Sequence, residues 1–260
     1  MKIGVMNNPT ESVYEEAVAF GKAEYDFMDL TIEGPQALDV DITRMGAILE
    51  QHNLAVIGHT DPCLPWAYPV PDVRQACFDE LERCARIFSA LGAEIMNIHP
   101  CYFCPPAMRS LLVDFNVEAL KPIVAMAASH GLTLVLENYL HPFDQVSTFK
   151  SMLNEVAGLG LHLDFGHANI GKHDHTVFCE HLGEHITHVH FSDNRGKTDN
   201  HMPLGVGNID WSNAVAALKR TGYDGTITLE VFCDDSRMRS HYLDLSRKYV
   251  RKLWHKKPAH

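Results

Sequence analysis

Residues 132–137 read Leu-Thr-Leu-Val-Leu-Glu, an apolar run of strand formers that stops on a carboxylate. The same plan recurs along the chain: AVIGH at 55–59, EIMNIH at 94–99, LHLDFGH at 161–167, ITHVHF at 186–191 and TITLE at 226–230. Each run delivers an imidazole or a carboxylate at or near its end. With the openings at 2–6 and 25–30, the expected strands are 2–6, 25–30, 55–59, 94–99, 133–137, 161–164, 185–191 and 226–231. Longer segments with helical spacing separate them, and such alternation is the signal for βα units around a parallel sheet. The 260 residues match the usual size of one (β/α)8 barrel. The fold class expected is therefore α/β, a single barrel domain over residues 1–260.

The helical spacing is clearest at 71–91, where Val73, Cys77, Cys84, Ile87, Phe88 and Leu91 recur three or four residues apart. A second helix is expected over 108–130, with Gly131 as its stop, and a last one over 235–254, followed by a basic tail. The segments 60–70, 100–107 and 192–208 are long and rich in Pro, Gly or Asn. On a barrel they lie at the C-terminal ends of the strands, where active sites are built.

Lys plus Arg is 22 and Asp plus Glu is 33, a formal charge of −11. That balance argues against a nucleic-acid partner and favours a small, hydrated, metal-chelating substrate. No apolar run is long enough to span a bilayer, and Met1-Lys-Ile-Gly-Val opens on a strand rather than a secretory signal. Seven cysteines, an odd number, fit a reducing compartment. The expectation is a cytoplasmic protein without a membrane partner.

Nine potential ligands stand at the strand ends and in the loops behind them: His59, His99, Glu137, Asp164, His167, His190, Asp199, His201 and Glu230. One histidine at a strand end is more often a satisfied structural residue than a ligand. The joint pattern reads differently, because a carboxylate that ends an apolar strand needs a partner or a metal. Oxygen and imidazole donors without thiolates suit zinc, manganese, cobalt or iron rather than calcium. One to three ions per chain are expected.

At these residues the chain resembles the xylose isomerase-like TIM barrel superfamily. HVHFSDNRGKTDNHMPLGVGNIDW, residues 188–211, is similar to the seventh-strand and loop signature of the sugar phosphate isomerase/epimerase group. LENY, LDFGHA and LEVF resemble that group's fifth-, sixth- and eighth-strand signatures. The resemblance implies a metal site at the C-terminal face of the strands, with Glu137, Asp164, His190 and Glu230 as ligands. It implies substrate contacts from His167 and Arg195. The superfamily also includes endonuclease IV, and His59, His99, His167, Asp199 and His201 match the additional ligand positions of its trinuclear zinc site. After His59, however, the chain reads TDPCLPW rather than that enzyme's DNA-penetrating stretch.

The implied reaction is isomerisation or epimerisation of a sugar, sugar phosphate or related polyol. The metal would stabilise an enediolate, while Glu137 and Glu230 remove and return the proton. The alternative is a multinuclear phosphoesterase of the endonuclease IV type, and a third reading is a barrel that only binds a small ligand. Trp66, Tyr68, Tyr102 and Phe103 either pack on a sugar face or act as plugs. Asp29 and Glu33 suit capping or ion pairing better than substrate hydroxyls. Cys101 and Cys104 have CxxC spacing without a second pair and read as loop thiols. Barrels of this kind often form homo-oligomers, but the sequence identifies no patch for one.

Overall fold

The computed structural model describes residues 1–171, 175–233 and 235–256. Lys257 of the basic tail lies outside them. Eight parallel strands close a barrel in chain order: β1 (Lys2–Met6), β2 (Phe27–Ile32), β3 (Ala55–Thr60), β4 (Ile95–Ile98), β5 (Thr133–Glu137), β6 (Gly160–Asp164), β7 (Ile186–Phe191) and β8 (Thr226–Leu229). The helices between them are α1 (Val13–Lys22), α2 (Ile42–His52), α3 (Pro71–Ala90), α4 (Leu112–Ser129), α5 (Val146–Glu155), α6 (Phe165–Ile170), α7 (His175–Leu182) and α8 (Trp211–Arg220). After β8 comes α9 (Ser236–His255). This is the (β/α)8 architecture expected from the strand pattern.

The chain divides into two compact units. One holds Asn7–Glu137 and Ser147–Gly160; the other holds Met1–Met6, Asn138–Val146 and Leu161–His260.

In the unit that contains β2 to β5, β2 runs beside β3 from Phe27 opposite Ala55 to Ile32 opposite Thr60. All six residues of β2 are buried, as a strand covered on both faces requires. Four of its helices, α1 to α4, end in one repeated way. Glu24, Asn53, Gly92 and Gly131 each have positive φ. The next residue then returns its N–H to the carbonyl five positions back: Tyr25 to Phe20, Leu54 to Leu49, Ala93 to Phe88 and Leu132 to Ala127. That is the Schellman closure, and the apolar residue just past the left-handed position is buried each time.

The closure explains where β2 begins. An onset at residue 25 was expected, but Tyr25 belongs to the helix stop, its ring set edge-on to Phe20 at 6.2 Å. Pairing therefore starts at Phe27. The helix expected over 108–130 also divides, into a 3-10 turn at Pro106–Leu111 and then α4.

In the other unit β1 pairs with β8, from Lys2 opposite Thr226 to Val5 opposite Leu229, and β7 pairs with β8, His190 opposite Thr228. Phe165, Phe191 and Trp211 form an aromatic core, with Phe191 4.8 Å from each of the other two rings. Burying such a side chain contributes about 1.5–3 kcal/mol. Aspartates start three helices here: Asp164 caps α6, Asp210 caps α8 and Asp235 caps α9. Asp235 is thus a cap rather than the first helical residue expected. β8 stops at Leu229, one residue short of Glu230.

Candidate active site

In the β2–β5 unit, parallel pairing gathers the strand ends, and their inward side chains cluster. Glu137 ends β5, and its Oε2 lies 3.3 Å from His99 Nε2. Asn97 donates its amide to the same oxygen at 2.7 Å and sits 3.2 Å from His59 Nε2. Beneath them His59 Nδ1 lies 3.8 Å from Asp29 Oδ1. His59, His99 and Glu137 can each present a donor atom within 4.8 Å of the other two. All are buried, and Asn97 Oδ1 is buried without a hydrogen-bond partner among the described residues. Asp29 is the floor of this group, and of the two roles expected of it the contact with His59 is ion pairing.

In the other unit, Asp164 and Glu230 flank His190. His190 Nδ1 stands 3.2 Å from Glu230 Oε2 and 3.9 Å from Asp164 Oδ2. Glu230 Oε1 lies 3.2 Å from His201 Nε2, which is 3.2 Å from Asp199 Oδ2, which in turn is 3.0 Å from His167 Nε2. The result is a continuous chain of alternating imidazoles and carboxylates. Asp164 is oriented twice over. Asn138 exchanges two hydrogen bonds with its backbone, at 2.7 and 2.9 Å, while its own carboxylate caps α6 at the His167 N–H.

Proton placement follows from the partners. His167 Nδ1 faces the Asn138 carbonyl at 3.0 Å, which can only accept, and Nε2 faces Asp199. Both ring nitrogens therefore donate, and His167 is an imidazolium opposite an ionised Asp199. Burial alone would raise the pKa of Asp199, but His167 and His201 outweigh it and hold the carboxyl down to about 2. Burial lowers His201, yet Glu230 and Asp199 push it up to about 11. Burial likewise opposes ionisation of Glu230, and His201 and His190 overcome it, keeping that carboxyl well below its ordinary range.

Asp199 and His201 reach this chain from the loop after β7. Asp193 and Met202 form an antiparallel bridge across that loop, and His201 has a left-handed φ of 44°. Gly207 passes so close to Asp193 and Asn194 that a Cβ there would overlap Asp193 Oδ1 and the Asn194 backbone. The need for glycine here is one of close approach.

Two further candidates are Trp66 and Arg195. Trp66 is buried, its indole N–H donates to the His99 carbonyl at 3.0 Å, and it lines a groove of about 690 Å³ with Phe78 and Phe115. Arg195 is exposed on the loop after β7. Tyr102 and Phe103 are exposed, and Cys101 is buried with Cys104 partly so.

The sequence reading passed over Asn97, Asn138, His162 and His188. His162 and His188 stack below His190, with ring centroids 4.0 Å (His162 to His190) and 4.7 Å (His162 to His188) apart. His188 is fixed by the hydroxyls of Thr226 and Thr228 at 2.8 and 3.1 Å. A signal was available, because residues two apart on a strand share a face: Asn97 precedes His99, His162 precedes Asp164 and His188 precedes His190 by that step.

Residues 15–253 match the sequence profile of the family described as xylose isomerase-like TIM barrel. The L-ribulose 3-epimerase of Methylomonas sp. is 28% identical over 250 residues, 90% of this chain and 82% of that protein. The ketose 3-epimerase of Arthrobacter globiformis is 28% identical over 226 residues, 81% of this chain and 74% of that one. Among solved structures, a D-tagatose 3-epimerase-like protein superposes with a TM-score of 0.86 at 23% identity, covering 97% of both chains. The D-allulose 3-epimerase from Methylomonas sp. in complex with D-allulose gives 0.82 at 19% identity, covering 97% and 96%. At those identities the structural likeness speaks for the fold alone.

Proposed function

The chain belongs to the xylose isomerase-like TIM barrel family, and from that premise we propose that it is a divalent-metal-dependent ketose 3-epimerase. One observation carries the reading: a buried Glu230 held ionised between His190 and His201, on the same rim as Asp164. The names of the 28%-identical relatives supply the substrate class.

The residues fit a metal. Asp164, His190 and Glu230 offer hard oxygens and an imidazole nitrogen, a donor set for manganese, zinc, cobalt or iron. The family pattern adds Glu137 as the remaining ligand. A divalent cation held there supplies a Lewis acid that stabilises negative charge developing on substrate oxygens.

The rest of the chemistry belongs to the side chains. One carboxylate of the Glu137/Glu230 pair takes the proton from C3 of the ketose. The C–H electron pair moves into the C2–C3 bond, and charge develops on the C2 oxygen. The other carboxylate delivers a proton to the opposite face of C3, and the electron pair returns to form the new C–H bond. His190 and His201 keep Glu230 ionised, and therefore able to accept a proton, at neutral pH. His167, cationic between Asn138 and Asp199, has both ring nitrogens engaged, so its influence on a substrate oxygen runs through Asp199, which it holds in place.

The test is proton NMR of L-ribulose, D-allulose and D-tagatose incubated in D₂O with metal-loaded protein. A C3 epimer carrying deuterium at C3 is the expected product. An aldose product carrying deuterium at C2 would replace epimerisation by isomerisation. Two or three zinc ions per chain together with cleavage of abasic-site DNA would replace both.

A further inference from the structure

Asp193 is fully buried and stands outside the reaction described above. Its carboxylate accepts four hydrogen bonds, as many as a carboxylate has lone-pair sites for. Oδ1 takes the Asn194 N–H at 2.9 Å and the Ile209 N–H at 3.3 Å, and Oδ2 takes the Gly205 N–H at 2.8 Å and the Trp211 indole N–H at 2.9 Å. Its backbone N–H and C=O pair with those of Met202 at 2.9 and 2.8 Å. One residue thus grips the start, the middle and the end of the segment from 194 to 209.

The next residue extends the grip. Asn194 accepts from the Gly196 N–H and the Asn169 amide, donates to the Gly166 carbonyl, and takes the Asn208 N–H on its own carbonyl. The segment held in this way presents Asp199 and His201. His201 is the neighbour of Met202, and its left-handed φ is one that only a few per cent of residues with a side chain adopt. Its carbonyl is fixed by the Phe232 N–H at 3.0 Å. The conformation is what aims Nε2 at Glu230 and Asp199.

We propose that Asp193 is a positioning residue: its carboxylate clamps the loop so that the Asp193–Met202 bridge holds His201 in the left-handed conformation against Glu230. Asp193 touches neither substrate nor metal and acts through His201. A carboxylate is required because four donors converge on it. An amide of the same shape would turn an N–H₂ group towards two of them.

The kinetic part of this idea rests on the epimerase reading, whereas its structural part does not. The first measurement is amide hydrogen exchange at Met202 and Asn208 in Asp193→Asn, since neither amide bonds the carboxylate directly. Exchange at both should rise about tenfold or more, with β2 to β5 unchanged. Exchange unchanged at Met202 and Asn208, or raised equally across the barrel, would overturn the proposal. Trp211→Phe withdraws the indole donor, with some packing against Phe165 and Phe191, and should give a smaller rise at the same two amides than Asp193→Asn. It serves if Asp193→Asn does not fold, and no rise there would count against the clamp.

The second measurement is a double-mutant cycle. Asp193→Asn should lower kcat about tenfold in the wild-type background and less than about twofold in His201→Ala. An equal fall in both backgrounds would show that Asp193 does not act through His201. If the wild type turns over no ketose, the function reading fails while the exchange result still decides the clamp.

Discussion

Replacing Glu230 by Gln tests the centre of the imidazole–carboxylate chain. Glu230 faces His190 through one oxygen and His201 through the other, each at 3.2 Å. Removing one partner of a buried ion pair costs about 3–5 kcal/mol, because a charge is left without its counterion. The groups left behind are histidines, which can shed their proton, so the lower end of about 3 kcal/mol applies. With an unfolding entropy of about 2.1 cal/mol/K per residue, 260 residues give about 0.55 kcal/mol/K. The expected fall in Tm for metal-stripped protein near pH 6 is then roughly 5 °C.

Adding metal extends the test. At a hundredfold excess over Kd a native-state ligand adds about 2.7 kcal/mol, another rise of roughly 5 °C in the wild type. Glu230→Gln, having lost a ligand, should show little of that rise. Scanning calorimetry on the two proteins, with chelator and then with manganese, reads both quantities. A variant within about 1 °C of wild type under both conditions would refute the placement of Glu230 as ion-pair partner and ligand.

Glu137→Gln should leave the circular dichroism spectrum unchanged and lower kcat by about a hundredfold or more, the scale of a lost general base; normal turnover would remove Glu137 from the site. In metal-stripped protein, the raised pKa of His201 contributes stability that is complete below its ordinary 6.5 and is lost as pH climbs towards 11. The lowered pKa of Asp199 contributes stability that is complete above 3.8 and is lost as pH falls towards 2. Urea midpoints should therefore plateau between about pH 4 and 6.5, and His201→Gln should flatten the alkaline fall. Burial, with Glu80 adding to it, pushes the Cys84 thiol up to about 12, whereas Cys63 is exposed. Iodoacetamide at about pH 8 should label Cys63 in native protein and Cys84 only after denaturation, as mass spectrometry would show. Gly207→Ala forces a methyl into Asp193 and Asn194 and should cost about 1–3 kcal/mol, measured as a drop in urea midpoint.

Glu137, Asp164, His190 and Glu230 were readable from the chain because each sits at or near the end of an apolar run, and strand periodicity is a local property. Their orienting partners were less visible. Asn97 and His188 shared a face with a chosen ligand and were passed over, because an asparagine or a second histidine inside a strand carries no signal of its own. Asp193 was hidden for another reason. Its four donors come from residues 194, 205, 209 and 211, and only the closed loop brings them together. Tyr25 shows the limit of reading runs alone. It looks like the first residue of a strand and is the last residue of a helix stop, since a strand former and a buried cap contact need the same apolar side chain. Trp66 illustrates the same ambiguity in a loop, where an aromatic near the barrel mouth proves to be tied to the His99 carbonyl.

The pairing of β1 with β8 sets a timetable for synthesis. Lys2 finds its neighbour in Thr226, 224 residues later in the chain. At about 5–20 residues per second, translation leaves the first strand without that partner for roughly 11–45 s. For the last 66 of those 224 residues, roughly 3–13 s, Asn7–Glu137 and Ser147–Gly160 have already been made, and they hold the residues of one compact unit. Until β8 is made the strand Lys-Ile-Gly-Val-Met keeps one edge unpaired, and it is mostly apolar, so this edge is open to wrong pairing during synthesis.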